Sequence, residues 1–221
     1  MAGPRASRWW WTEAVARLGG DPDVAQQAAD DLACWYGEDH RRYHDLRHAS
    51  SVARDADDLA QELRLGGEDR AVITLAACAH DVVYDARPGH DERLSAEWTA
   101  RWLGRAGLTP ERIGGVERLI LATIGHEAPA GDLLATALLD ADLAILGGEP
   151  GDYDDYAEAV RQEYAAVDDA AWAAGRAKVL TTLLDRDALY RSRPARNRWD
   201  IAARENLTRE LTRLRHTSAD Q

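Results

Sequence analysis

The sequence predicts an all-α protein, and three observations carry that reading. Apolar residues recur at helical spacing through most of the 221 residues. No Asn-Gly turn occurs between alternating apolar residues, and no period of two is sustained. Helix-opening signals recur instead: Asp21-Pro22 and Thr109-Pro110-Glu111 each set a capping side chain before a proline at the first helical position.

The elements follow in order. Residues 10–18 form a short amphipathic helix. A second helix runs from Asp21-Pro22 to about Tyr36 and stops at Gly37. Residues 38–47 are polar and aromatic, the composition of a loop. A helix over about 48–63 ends at Gly66-Gly67. Another covers about 68–84, "EDRAVITLAACAHDVVY", and its Ala-rich middle predicts close packing in a core. Pro88-Gly89 make a turn before a helix over about 91–105. The Thr109 cap opens a helix that Gly125 interrupts. Helical patterns then cover about 132–146, 153–166, 169–184 and 199–215, giving nine or ten helices in all. No repeat, linker or low-complexity segment divides the chain, so a single domain over 1–221 is expected.

Composition narrows the function. Lys and Arg number 27 against 39 Asp and Glu, a net charge of -12, and no long basic stretch exists. A nucleic-acid polymer, which needs an electropositive face, is therefore not an expected partner. An acidic chain that handles small phosphates must neutralise them locally, with a cation or a few placed arginines. Cys34 and Cys78 sit in apolar helical patterns and read as buried thiols of a reducing compartment. No apolar run reaches the roughly 18 residues of a membrane span. The N-terminal stretch lacks a secretory h-region. No membrane partner and a cytoplasmic location are expected.

Four segments concentrate His and Asp beside apolar residues: "YHDLRH", "AACAHDVVYD", "ILATIGHEA" and "LLDADLAILG". His44 and His48, four apart, share a face if helical. His80 and Asp81 follow an apolar run directly, and helix neighbours lie about 100° apart. That pair can offer one cation an imidazole nitrogen and a carboxylate oxygen, leaving room for ligands from other helices. His48 and an Asp from "LDAD" complete two histidines and two aspartates, a mixed N/O set suited to Mn, Fe, Co, Ni, Zn or Mg rather than to a thiolate site. Asp140 and Asp142, two apart, point in different directions on a helix. Plainer readings stand beside these. His80-Asp81 fits a helix C-terminus followed by a turn, and His48 a buried, hydrogen-bonded imidazole. Asp91 and Glu92 fit helix N-terminal carboxylates. Arg176 and Arg204 fit ion pairs, and His40 fits a surface loop. Tyr153, Tyr156 and Tyr164 fit packing, and the Trp9-Trp10-Trp11 run a core anchor or a homodimer contact.

The order His48, His80-Asp81, Asp142 resembles the HD superfamily of metal-dependent phosphohydrolases. Its motif is a His, an adjacent His-Asp and a distant Asp on a helical bundle. The contexts "HASSVA", "AACAHDVVYD" and "ADLAILG" strengthen the likeness. The fuller pattern resembles a bacterial subgroup described as predicted metal-dependent HD-type phosphohydrolases. It extends over most of the chain and includes "RRYHDLRH", "DERLSA", "GRAKVL" and "AARENL". The resemblance implies an HD-domain-like helical bundle with a metal-binding core at about 40–150, and C-terminal helices over 151–215 packing on it. It implies a divalent metal held by His48, His80, Asp81 and Asp142, because Ala141-Asp142-Leu143 matches the family's setting for the last ligand. Asp140 would then orient a ligand imidazole.

"YHDLRHA" also resembles the segment before the metal site in cyclic-nucleotide phosphodiesterases of the superfamily, whose Tyr-His histidine protonates the leaving oxygen. That makes His44 the candidate general acid. The rest of the phosphodiesterase pattern is absent, so cyclic nucleotides are not implied. His126 stands near a histidine that binds a second metal or the phosphate in some HD proteins. "DERLSA" carries Asp91 where the family's "NE…SA" has Asn, and Glu92 is a candidate for activating water. Arg176 and Lys178 are candidates for meeting a substrate phosphate. The implied activity is hydrolysis of a nucleotide or other small phosphate ester by a metal-activated water, with Asp81 among the catalytic groups. A catalytically inactive HD ligand-binding module and a di-iron HD-type oxygenase are the alternatives.

Overall fold

The structure, a computed structural model, describes residues 5–219, with side chains over 9–215. Among the described residues it is helical with no strand, in ten α-helices. The chain divides into two compact units, Met1–Asp142 and Leu143–Gln221.

The first unit holds α1 (Arg5–Arg17), α2 (Pro22–Trp35), α3 (Leu46–Glu62), α4 (Gly67–Ala79), α5 (Asp91–Arg105), α6 (Pro110–Ala122) and α7 (Leu133–Asp142). The Asp21 carboxylate accepts from the Asp23 and Val24 amides at 2.8 and 3.0 Å, as its capping role requires. Asp45 caps α3 in the same way, accepting from Arg47 N at 2.8 Å and His48 N at 3.2 Å. Helix α4 is the centre of the unit, buried at every residue from Ala71 to Ala79. It packs on α1, α3, α6 and α7. Its small side chains allow that many neighbours to approach. On α3, Ala49, Val52, Ala53, Ala56, Leu59 and Ala60 form the buried stripe. Of the tryptophan run, Trp11 is wholly buried, its ring 5.5 Å from that of Trp98, while Trp9 is exposed. Trp11 is thus the core anchor.

Three expectations are corrected. Helix α4 ends at Ala79, not near Tyr84: Val83 N–H, which a continuing helix would give to Ala79 O, donates to Ser95 Oγ instead, and Arg41 takes the carbonyls of Asp81 and Val82 in the turn beyond. Helix α7 ends at Asp142, and a short 3-10 turn, Ala144–Gly147, replaces its expected continuation. Cys34 is exposed rather than buried. The buried face of α2 runs through Ala25, Ala28, Ala29 and Leu32, and Cys34 projects from the other side.

The second unit holds α8 (Pro150–Glu163), α9 (Asp169–Leu184) and α10 (Arg193–Ala219). The 3-10 turn lies against α10 at Gly147, where an added Cβ would meet the Trp199 Cβ at 2.5 Å. Asn206 Nδ2 donates to Leu146 O and Gly148 O, both at 2.9 Å, fixing that contact. Arg176 forks onto Glu210 at 2.9 and 3.0 Å and donates to Tyr156 Oη at 3.3 Å. Tyr153 donates to the same carboxylate. Arg176 is therefore committed to a buried interhelical pair rather than offered to a phosphate. Lys178 is an exposed residue of α9. Arg204 pairs with Asp200 at 3.1 Å.

Replacing Arg176 by Leu strands the buried Glu210 carboxylate. Urea unfolding should show a loss of about 3–5 kcal/mol, most of it recovered when Glu210→Leu is added. A loss below about 1 kcal/mol would show that the pair is not structural.

Candidate metal centre

Three helix ends deliver the centre. His48 lies in the first turn of α3, directly under the Asp45 cap. His80 is the C-cap residue of α4, and Asp81 follows it in the turn. Asp142 is the last residue of α7. Helices α3, α4 and α7 all pack on one another, which brings these ends together. The pair at 80 and 81 therefore sits at a helix end rather than within a helix. All four residues belong to the first unit.

The donor atoms converge. His48 Nε2 is 3.2 Å from His80 Nε2, 3.5 Å from Asp81 Oδ2 and 3.4 Å from Asp142 Oδ1. His80 Nε2 is 3.2 Å from Asp81 Oδ2 and 3.3 Å from Asp142 Oδ1. Ligands at about 2.1 Å from one ion in tetrahedral array stand about 3.4 Å apart. His48, His80 and Asp142 each offer a ligand atom within 4.8 Å of the others. Asp81 joins them through its two contacts with the imidazoles. Asp142, not Asp140, turns its carboxylate to the cluster, while Asp140 is buried.

One tautomer of the centre is fixed by its hydrogen bonds. A carbonyl only accepts, so the 3.0 Å contact between His80 Nδ1 and Ala77 O fixes the proton on Nδ1. The Nε2 of a neutral His80 then presents a lone pair to His48 Nε2. His48 Nε2 meets it either with its own N–H, Tyr43 Oη then donating to His48 Nδ1, or as a second lone pair with a shared cation between the two nitrogens. Burial pushes His80 down, but the Asp81 and Asp142 carboxylates outweigh it and hold the imidazole well above its ordinary value. Burial likewise lowers His48, and hydrogen bonds to Asp142 and Asp81 turn the balance upward. Both aspartates are pushed up by burial yet held well below the usual carboxylate range, chiefly by His80.

Around the cluster stands a second ring of groups. Tyr43 Oη is 3.1 Å from His48 Nδ1. His126 Nε2 donates to Asp142 Oδ2 at 2.8 Å, its backbone turned into the left-handed region at φ 54° after Gly125 at φ 77°. His44 is half-buried, stacked on the Tyr84 ring at 4.1 Å with its own ring 5.4 Å from that of His48. His40 is exposed, as expected, and its Nε2 lies 2.7 Å from Tyr84 O. Sequence reasoning did not single out Arg41, Tyr43 or Tyr84. The signal was present in "RRYHDLRH" and "VVYD", where an arginine and two tyrosines flank the histidines.

The remaining candidates lie elsewhere. Glu92 accepts from Gly89 N at 2.6 Å and so closes the start of its own helix rather than reaching the cluster. Asp91 accepts from Asp85 N and Arg87 N, both at 2.8 Å, shaping the loop after Asp81. Only an acceptor oxygen is needed there, which Asp supplies as well as Asn. No protein-family model, curated protein or solved structure matches this chain.

The shifted groups set a pH profile for the metal-free protein. The two acids contribute stability above the ordinary value of about 4 and lose it as pH falls through their lowered values. The two imidazoles contribute below about 6.5 and lose it as pH rises through their raised values. After chelation, Tm should peak between about pH 4 and 6.5. Thermal melts across pH check this, and His80→Ala should flatten the alkaline side. A Tm still rising above about pH 7 would contradict the assignment.

Proposed function

We propose that this chain is a divalent-metal-dependent hydrolase of a small phosphate ester, with nucleotides among the candidates. The observation that carries the reading is the convergence of two imidazole nitrogens and two carboxylate oxygens, separated by 3.2–3.5 Å in five pairs. Nitrogen and carboxylate donors without thiolate suit Mn, Fe, Co, Ni, Zn or Mg. The motif order resembles that of the HD superfamily, which is what directs the proposal to phosphoryl chemistry.

A divalent cation at this point supplies Lewis acidity, acidifying a water and taking up charge from a phosphoryl oxygen. The chain's own groups do the rest. Asp81 and Asp142 offset the cation's charge, and His48 and His80 complete the donor set. His80 is held in the ligating tautomer by Ala77 O. His44, beside the cluster and backed by the Tyr84 ring, protonates the leaving oxygen. With a net charge of -12, the protein attracts a phosphate through this local positive charge rather than through its overall field. Unpaired Cys34 and Cys78 accord with a reducing, cytoplasmic setting.

Stripped protein should take up Mn, Co, Ni, Zn or Mg on titration. A screen of nucleotides and phosphate esters with the loaded protein should find turnover that falls on the order of 100-fold or more in Asp81→Ala. Hydrolysis that persists unchanged in that variant would defeat the proposal.

A further inference from the structure

We propose that Arg41 is the positioning residue of this centre: its guanidinium clamps the segment entering α3 to the turn leaving α4, so that His48 and the His80-Asp81 pair face one point. The inference rests on the metal reading above.

The side chain of Arg41 is 1% exposed. Its Nε donates to Glu38 Oε2 at 3.1 Å. Its Nη1 donates to His44 O at 3.0 Å and to Asp81 O at 2.7 Å. Its Nη2 donates to Val82 O at 2.8 Å and lies 3.1 Å from Glu38 Oε2. Four of the five guanidinium N–H groups donate in these bonds, and the charge is paired with Glu38. The Tyr36 and Tyr84 rings lie over it, with centroids 5.0 and 5.8 Å from Cζ. Buried and committed to these partners, Arg41 is not a substrate-binding arginine. Its partners are the backbone that carries the ligands.

The position explains the choice of residue. A helix end leaves carbonyls without partners. Past the end of α4, the carbonyls of Asp81 and Val82 are taken by Arg41, and Asp81 is itself a ligand candidate. On the other side, His44 O precedes the Asp45 cap of α3 directly, and His48 follows within the first turn. One planar group thus sets the separation of two ligand-bearing segments. Functional constellations need such control to about 0.5 Å. A lysine keeps the charge but has three donors and no fork.

The test uses the full chain stripped of metal and titrated with Co²⁺, read by its visible absorption. Circular dichroism and thermal melts report folding, and hydrogen exchange reports the amides of residues 81–84 in the metal-free state. Arg41→Lys should fold with wild-type helicity, bind Co²⁺ on the order of 10–100-fold more weakly, and exchange faster at 81–84. Glu38→Gln weakens the same clamp while leaving Arg41 in place, and should lower affinity in the same direction. Folded Arg41→Lys with Co²⁺ affinity within about twofold of wild type overturns the proposal. If Arg41→Lys does not fold, unchanged affinity in Glu38→Gln overturns it. Wild-type protein that takes up no Co²⁺ or other divalent ion defeats the metal reading itself, a result separate from equal binding by wild type and variants.

Discussion

Two buried imidazoles and two half-buried carboxylates, with their acceptor atoms facing inward, need positive charge among them. With both histidines neutral the group carries two negative charges, and one divalent cation balances it. Protons can substitute, and the raised imidazoles and lowered carboxylates record that pull. Either way the arrangement has a deficit at its centre, and the helix ends around it are placed to create that deficit rather than to relieve it.

The second unit shows the opposite solution. Glu210 is more deeply buried than the aspartates of the first cluster, and Arg176 and Tyr153 supply donors matched to its two oxygens. Charge and hydrogen bonding close within that network, which makes it a structural device. Comparing the two clusters within one chain separates buried polarity that holds helices together from buried polarity that awaits a partner. Burial alone does not distinguish them; the balance of donors and acceptors does.

Much of this was legible in the sequence, for definite reasons. The caps at Asp21 and Thr109 are local signals, and the structure forms both. The apolar stripes on α3 and α4 follow from periodicity, which does not depend on distant residues. His48, His80, Asp81 and an aspartate of "LDAD" emerged because carboxylates and imidazoles among alanines and leucines demand a partner, and the choice of Asp142 over Asp140 came from the resemblance to the HD superfamily. What stayed hidden depended on tertiary contacts. The end of α4 at Ala79 goes with Ser95, on another helix, taking the Val83 N–H that a continuing helix would give to Ala79 O. The plainer reading of Glu92 as a helix N-terminal carboxylate holds, because Gly89 N, three residues before it, donates to its side chain. For Arg176 the ion pair was legible as a possibility, but its partner Glu210, on another helix, was not.

The hydrogen bond from His126 to Asp142 has a consequence for coordination. With Oδ2 engaged by that imidazole, Asp142 can present only Oδ1 inward. A cation held between His48 and His80 would meet Asp142 through Oδ1, with His126 keeping the other oxygen, so the imidazole of His126 would orient that ligand.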